Sequence, residues 1–447
     1  MSGLPKGWVE TTIGEVCNYI QRGKSPKYVE RSKLPVINQK CVRWAGIDER
    51  YLKYVDPEQW SSWTEERFLV PDDVLWNSTG TGTIGRAALF KGLQTADRAV
   101  VDSHVTILRT NGAVTGTFLH RFIQSPGVQA AIIDMQSGTT NQVELNRAEI
   151  IATALPLPPL AEQKRIVAKL EALNAKSARA RTALARIETL VSRYKQAVLS
   201  KAFSGELTNG DTSTDWHTVR LEEIAEIGTG ATPKRGNAEY YSNGTIPWIT
   251  SGAVNEGLIL QADEFITERA IQETNCKIFP AGTLVVAMYG EGKTRGKVAI
   301  LGLDAATNQA LAAVRIRSSE VSAPQYVYLF LQSVYLTLRE EAAGGVQPNL
   351  NLSIVKAIEL PLPLLEEQHE IVRRIESAFA KIDRLAAEAK RALALVGRLD
   401  EAVLAKAFRG ELVPQDENDE PAATLLARIR TEREAAPKVK RGRKARS

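Results

Sequence analysis

The stretch Ala287-Met-Tyr-Gly-Glu-Gly-Lys-Thr294 carries the residue types of a phosphate-binding loop, with glycines for close backbone approach and then a lysine and a hydroxyl. That chemistry requires Lys293 and Thr294 to open a helix whose first amides point at the anion. The chain instead continues Arg295-Gly-Lys-Val-Ala-Ile-Leu301, a strand-like run, and the corresponding stretch Gly80-Thr-Gly-Thr-Ile-Gly-Arg86 has no lysine-threonine pair. The expectation is a glycine-rich tip between two strands. A nucleotide hydrolase built on Lys293 and Thr294 is the alternative, which absence of ATP binding by the purified chain would remove.

Other catalytic constellations are missing from the sequence. There is no Asn/Asp-Pro-Pro-aromatic tetrapeptide for amino-group methylation, no H-E-x-x-H, no G-x-S-x-G and no nuclease-type carboxylate-lysine cluster. Cys17, Cys41 and Cys276 show no C-x2-C spacing, and His104, His120, His217 and His369 form no ligand pattern with them. The chain reads as non-catalytic, with no metal and no cofactor of its own.

What remains is a set of polar loops in otherwise apolar domains. In the first half these hold Arg22 and Lys24, Asn38, Gln39, Lys40 and Arg43, then Asn77, Ser78, Thr79 and Arg86. In the second half they hold Lys234 and Arg235, Thr250, Ser251 and Asn255, then Lys293, Thr294, Arg295 and Lys297, with Asn308-Gln309 beyond. Arginine and lysine pair with guanine edges, asparagine and glutamine with adenine edges, and the remainder suit phosphate, so double-stranded DNA is the expected partner. Recurrence at equivalent loops of two copies carries that expectation.

The elements that position these loops are duplicated. Leu155-Pro-Leu-Pro-Pro-Leu-Ala-Glu-Gln163 returns as Leu360-Pro-Leu-Pro-Leu-Leu-Glu-Glu-Gln368, and Lys201-Ala-Phe-Ser-Gly-Glu-Leu207 as Lys406-Ala-Phe-Arg-Gly-Glu-Leu412, both at an offset of 205. Between them run two heptad seams. The first holds Ile166, Leu170, Leu173, Ser177, Ala180, Leu184, Ile187, Val191, Tyr194 and Val198; the second holds Ile371, Ile375, Ala378, Ile382, Leu385, Ala389, Ala392, Val396, Leu399 and Val403. Neither contains proline, and alanine with straight-chain charged residues fills the other faces. Each predicts a helix of about 45 residues, on the order of 65–70 Å, beginning after a proline-rich turn and ending at Gly205 or Gly410. A sustained seam needs a partner of equal length, and the other copy supplies it.

The globular halves repeat more loosely. Trp8 and Trp216 lead Ile13-Gly-Glu-Val16 and Leu221-Glu-Glu-Ile224, then Ser25-Pro-Lys27 and Thr232-Pro-Lys234, then Leu34-Pro-Val-Ile37 and Ile246-Pro-Trp-Ile249. Short β-branched runs, with helical stretches near Phe118 to Met135 and Tyr326 to Glu341, give an α+β fold class: two globular α/β domains separated by two long paired helices. The expected division is 1–154 and 216–359 for these domains, 155–208 and 360–413 for the helical spacers, 209–215 for a polar linker, and 414–447 for an acidic linker, short helix and basic tail. The 447 residues exceed one hydrophobic core, and a net charge of +5 permits a nucleic-acid partner without demanding one. No stretch reaches the roughly 20 apolar residues of a spanning helix, so no membrane partner and a cytoplasmic location are expected.

The order of globular domain, Leu-Pro-Leu-Pro-Pro-Leu-Ala-Glu-Gln turn, long helix and Lys-Ala-Phe-x-Gly-Glu-Leu end, repeated once, resembles the specificity subunits of Type I restriction-modification systems over residues 1–413. The resemblance implies a subunit without enzymatic activity whose two recognition domains, held apart by the two long helices in an antiparallel coiled coil, each read one half of a bipartite, gapped DNA target. It further implies that segments 155–208 and 360–413 are the spacer and the docking surface for two modification subunits, with two restriction subunits able to join. S-adenosylmethionine, ATP and Mg would then reside on those partners. Half-sites about one helical turn apart would leave a spacer of about 5–8 bp. A stand-alone architectural or regulatory DNA-binding protein is the other competitor; specific binding by the isolated chain with no modification partner would favour it.

Overall fold

The computed structural model describes residues 3–80, 82–132, 136–137, 144–208, 216–289, 294–335 and 350–435. The chain forms two compact units, residues 1–183 with 392–447, and residues 184–391. The sequence division differs because each long helix, Leu160–Phe203 and Leu365–Phe408, contributes one half to each unit.

In the first unit a four-stranded antiparallel sheet runs in the order Cys17–Arg22, Val105–Thr110, Val74–Asn77, Ala87–Leu89. All four residues of Val74–Asn77 are buried, because the strand has a core on each side. Val74 and Trp76 face one hydrophobic cluster, and Leu75 faces another with Ile37, Val101 and Ile107. A second four-stranded sheet holds Val100–Val101, Pro35–Ile37, Lys53–Val55 and Tyr28–Val29. The ribbon Val9–Thr12 with Ala154–Leu157 ties the start of the domain to the turn before the helix.

The second unit repeats this plan. Its main sheet runs Ala225–Thr229, Leu311–Ile316, Leu284–Ala287, Val298–Leu301, Leu258–Ile259, the last pair parallel. Leu284 and Val286 face one cluster, Val285 and Ala287 another. The ribbon is His217–Arg220 with Glu359–Leu362. Leu284–Ala287 pairs antiparallel with Val298–Leu301, and among the described residues no helix begins at Thr294; residues 290–293 of the glycine-rich segment lie outside the described residues.

The Glu-Gln pair repeated at the start of each long helix is a buried latch. Gln163 is fully buried; its amide nitrogen donates to the Ala113 and Pro158 carbonyls (3.0 and 3.1 Å), and its oxygen accepts from the Thr115 amide (3.0 Å). Gln368 makes the same three bonds to Val321, Pro363 and Ala323. Beside it Glu162 accepts from Trp8 Nε1 at 3.0 Å, as Glu367 does from Trp216 Nε1 at 3.0 Å. Burial pushes the Glu162 carboxyl above its ordinary pKa.

The far end of each helix closes the core of the opposite recognition domain. Phe408 packs edge-on against Phe118 and Phe122, and Phe203 against Tyr326 and Phe330, with centroids 5.2–5.4 Å apart. Both helices end at glycines with left-handed backbone, Gly205 (φ 85°) and Gly410 (φ 74°).

The helices are antiparallel. In the first unit Ser177 Oγ donates to Asp400 (2.6 Å) and Arg181 pairs with the same carboxylate (2.6 Å); in the second, Lys195 pairs with Asp383 (2.7 Å). Ile166, Leu170, Ile371 and Ile375 are buried, and Leu173, Leu184, Ile187, Val191, Ile382 and Val396 partly so. Leu385 and Leu399, expected in the seam, are 61% and 56% exposed, and so is Tyr194 at 61%. Ala386, Asp400 and Lys195, one position on, turn inward instead. The reason is geometric: an α-helix of 3.6 residues per turn drifts about 20° per heptad, and the inward positions 371, 375, 378, 382, 386 and 389 follow an 11-residue period.

Two expected helices are shorter. The stretch from Phe118 is broken into Gly116–Ile123 and Pro126–Ala131, because Pro126 lacks an N–H and starts a new helix. The other spans Pro324–Ser333; residues 336–341 and the basic tail 438–446 lie outside the described residues. The short helix after the acidic linker is Ala422–Ala435. Among the described residues no helix is long and apolar enough to cross a membrane, and no cluster of His, Cys, Asp and Glu could hold a metal ion.

Candidate nucleic-acid interface

In each unit the main-sheet strands end in a shared corner. Gly23 follows Cys17–Arg22, and a Cβ there would lie 2.1 Å from the Val101 carbonyl oxygen, so only glycine fits. Its amide donates to the Val105 carbonyl (3.0 Å). Arg22 Nε then donates to the Ser103 carbonyl (2.9 Å), Ser25 Oγ bonds Ser103 Oγ (2.7 Å), and the His104 amide donates to Asp102 Oδ1 (2.9 Å). Asp102 is 2% exposed, and burial pushes its pKa up. The exposed His104 ring bonds Thr79 Oγ1 through Nδ1.

The second unit builds the same corner from different side chains. Gly230 takes the place of Gly23, with a Cβ 1.8 Å from the Thr307 carbonyl oxygen. Thr229 Oγ1 donates to the Gln309 carbonyl (3.3 Å), Thr232 Oγ1 donates to Gln309 Oε1, and the Ala310 amide donates to Asn308 Oδ1 (3.1 Å). Beside each corner the same backbone hydrogen bonds recur. Ser78 N donates to His104 O as Met288 N does to Ala310 O, and Asn77 N to Arg86 O as Ala287 N does to Lys297 O. These pairings match Thr79 with Tyr289, Arg86 with Lys297, Lys24 with Ala231 and His104 with Ala310.

Of the expected contact residues in the first unit, Arg22 and Lys24 are half-buried at the corner, and Thr79 is buried there with its hydroxyl on the His104 ring. Arg22 also pairs with Glu144 (2.8 Å), and Lys24 Nζ donates to Ser62 Oγ (2.8 Å) and lies 5.0 Å from the Trp63 ring centre. Lys40 is exposed, Gln39 half-buried, and Arg43 stacks over Tyr51 at 5.1 Å. Arg86 donates to the Gly82 carbonyl (2.8 Å). Asn38, Asn77 and Ser78 are corrections: all three are buried and brace the loops from inside. Asn38 Nδ2 donates to Tyr51 O (2.6 Å), Asn77 Nδ2 to Gln39 O (3.0 Å) and Thr83 O (3.2 Å), and Ser78 bonds Thr106. A polar residue at a strand end serves its own backbone as readily as a ligand.

In the second unit Lys234 is exposed, while Arg235 pairs with Glu264 and stacks over Trp248 and Tyr241 at 4.9 and 5.3 Å. Thr250 and Ser251 are half-buried. Asn255 and Lys297 bond each other (2.6 Å) and line a cleft of about 340 Å³ with Ser192, Lys195 and Tyr328, so they face the helices. Thr294 is half-buried and its carbonyl accepts from the Lys297 amide (3.1 Å); Arg295 Nε is enclosed without a hydrogen-bond partner among the described residues. Lys293 lies outside the described residues. Ser103 and His104 were missed. Their signal was the Gly-x-Ser/Thr-Pro recurrence at Gly23 and Gly230, which requires a turn to pack against it.

The family described as Type I restriction modification DNA specificity domain matches residues 5–189 and 213–393. The chain belongs to this family. As a specificity subunit it is 31% identical to the Type I restriction enzyme EcoBI specificity subunit of Escherichia coli, over 71% of this chain and 72% of the relative. It is 26% identical to the EcoKI specificity subunit of Escherichia coli (strain K12), over 99% of this chain and 98% of the relative. Its fold is that of the HsdS subunit from Thermoanaerobacter tengcongensis, with a TM-score of 0.62 and 21% identity over 92% of this chain and 98% of that one. The specificity subunit thus has two recognition domains, one in each compact unit.

Proposed function

We propose that this specificity subunit is non-catalytic, and that each recognition domain reads one half of a bipartite, gapped DNA target through its strand-end corner. The observation that carries the reading is the duplicated corner itself. One backbone frame presents Lys24 and His104 in one unit and Ala231, exposed Tyr289 and Ala310 in the other, with Thr79 buried beneath the His104 ring. Two different readers on one repeated frame imply an asymmetric, split sequence. The long helices set the spacer.

The same helices dock two modification subunits. Leu190 and Tyr194 are 43% and 61% exposed on the first helix, and their repeat equivalents Leu395 and Leu399 are each 56% exposed on the second. Exposed Arg186, Arg193 and Lys201 flank one pair, and Arg391, Arg398 and Lys406 flank the other. Two like patches suit two like partners. In this reading S-adenosylmethionine serves the modification subunits, while ATP and Mg serve two restriction subunits.

Purified chain mixed with its modification partner should transfer methyl groups from S-adenosylmethionine to adenine in target DNA, and neither component should do so alone. Methyl transfer or ATP hydrolysis by the isolated chain would overturn the reading.

A further inference from the structure

Lys195 and Asp400 stand at the same position of the two repeats, 205 residues apart, and carry opposite charge. Both are half-buried and face the other long helix. In the first unit the Asp400 carboxylate accepts from Ser177 Oγ (2.6 Å) and pairs with Arg181 (2.6 Å). In the second, Lys195 pairs with Asp383 (2.7 Å), and its Nζ lies 5.0 Å from the Phe379 ring centre.

The residues that meet these two side chains change with them. The repeat equivalents of Asn174, Ser177, Ala178 and Arg181 are Phe379, Ile382, Asp383 and Ala386. The first repeat therefore carries a base together with a surface that suits an acid, and the second carries an acid together with a surface that suits a base. Neither fits its own kind. An antiparallel pair of two first repeats would set Lys195 of each against Arg181 of the other. A pair of two second repeats would set Asp400 of each against Asp383 and the Phe379 ring of the other. Only unlike repeats make two ion pairs and no like-charge contact at these positions. The flanking arginines do not discriminate, since Arg179, Arg186 and Arg193 recur as Arg384, Arg391 and Arg398.

We propose that these charges are a pairing code: the long helix of the first repeat accepts a second repeat and rejects the first repeat of another copy, so every assembled subunit holds one recognition domain of each kind. The apolar seam alone gives no such choice, because its leucines, isoleucines and alanines pack against either helix. Repulsion in the wrong pair supplies the discrimination. The rule needs only the helix contacts and holds whether or not the corners read DNA.

Arg181→Asp combined with Asp383→Lys inverts the code, because like repeats then gain ion pairs and unlike repeats meet like charges. The four side chains at these contacts are 23–57% exposed, so the substitutions leave the fold intact. A protease site is placed in segment 209–215, the folded chain is cut there, and the two pieces are separated in urea, refolded together and weighed by native mass spectrometry. Wild-type pieces should return as the mixed pair, exceeding like pairs by at least about tenfold, and the double variant should shift that ratio toward like pairs by about tenfold or more. The uncut chain gives a second reading. Its double variant should melt about 5 °C lower, and adding Lys195→Asp with Asp400→Lys, which restores opposite charges at both contacts, should recover the loss. Like pairs as abundant as mixed pairs in the wild type, an unchanged ratio in the double variant, or no recovery in the fourfold variant would overturn the proposal.

Discussion

Phe408 lies edge-on against Phe118 with ring centroids 5.3 Å apart, so the core of the first recognition domain is closed by the end of the second long helix. The same exchange joins Phe203 to Tyr326. Each recognition domain is therefore built from both sequence repeats. Phe408→Ala should destabilise the first unit by about 3 kcal/mol, at the low end for a phenylalanine deletion because the ring is only partly buried. Hydrogen exchange should show amides of Gly116–Ile123 losing protection while those of Pro324–Ser333 keep theirs.

Gln163 satisfies two carbonyls and one amide at a site with no solvent. Gln163→Glu should be worse than Gln163→Ala, since a carboxylate cannot donate to the two carbonyls and brings a buried charge. A loss on the order of 3 kcal/mol or more is expected in urea denaturation for the glutamate variant.

His120 is 7% exposed, its Nε2 sits 3.2 Å from the Ala87 carbonyl, and burial holds its pKa down at about 4 against an ordinary 6.5. Between these values the unfolded chain binds a proton there that the folded chain does not, so this contribution to stability is lost as pH falls through the window. From pH 7 to 4.5 the loss from this group is about 2–3 kcal/mol. His120→Gln should remove that part of the pH dependence, as measured by urea midpoints of both proteins at the two pH values.

Leu399 and Ile375 occupy seam positions in the same heptad register yet should behave oppositely. Ile375→Ala, at a fully buried site, should cost about 2–5 kcal/mol. Leu399→Glu should leave stability within about 0.5 kcal/mol but weaken association with the modification subunit, read by thermal unfolding and sedimentation respectively.

Much of this architecture was legible in the residues. The constant offset between the two Glu-Gln turns and the two Gly-Glu-Leu ends defined both helices, and the structure places them at Leu160–Phe203 and Leu365–Phe408. The exchange of helix ends was not legible, because Phe203 and Phe408 look alike in sequence and nothing local says which core each fills. The seam failed at Leu385 and Leu399, where a strict seven-residue count outruns a helix of 3.6 residues per turn. At the interface, residue type found the loops but not their orientation. Asn77 and Thr79 are near neighbours on one strand end, yet one braces the Gln39 loop and the other meets exposed His104.

Sequencing of adenine methylation in cells carrying this chain with its modification partner tests the central claim most directly, comparing wild type with a corner variant of each unit, Lys24→Ala with His104→Ala, and Tyr289→Ala with Gln309→Ala. The account predicts one gapped motif that vanishes when the gene is deleted, with the first variant relaxing one half-site and the second relaxing only the other. An ungapped motif, a motif that survives deletion of the gene, or both halves relaxed by one variant would contradict it.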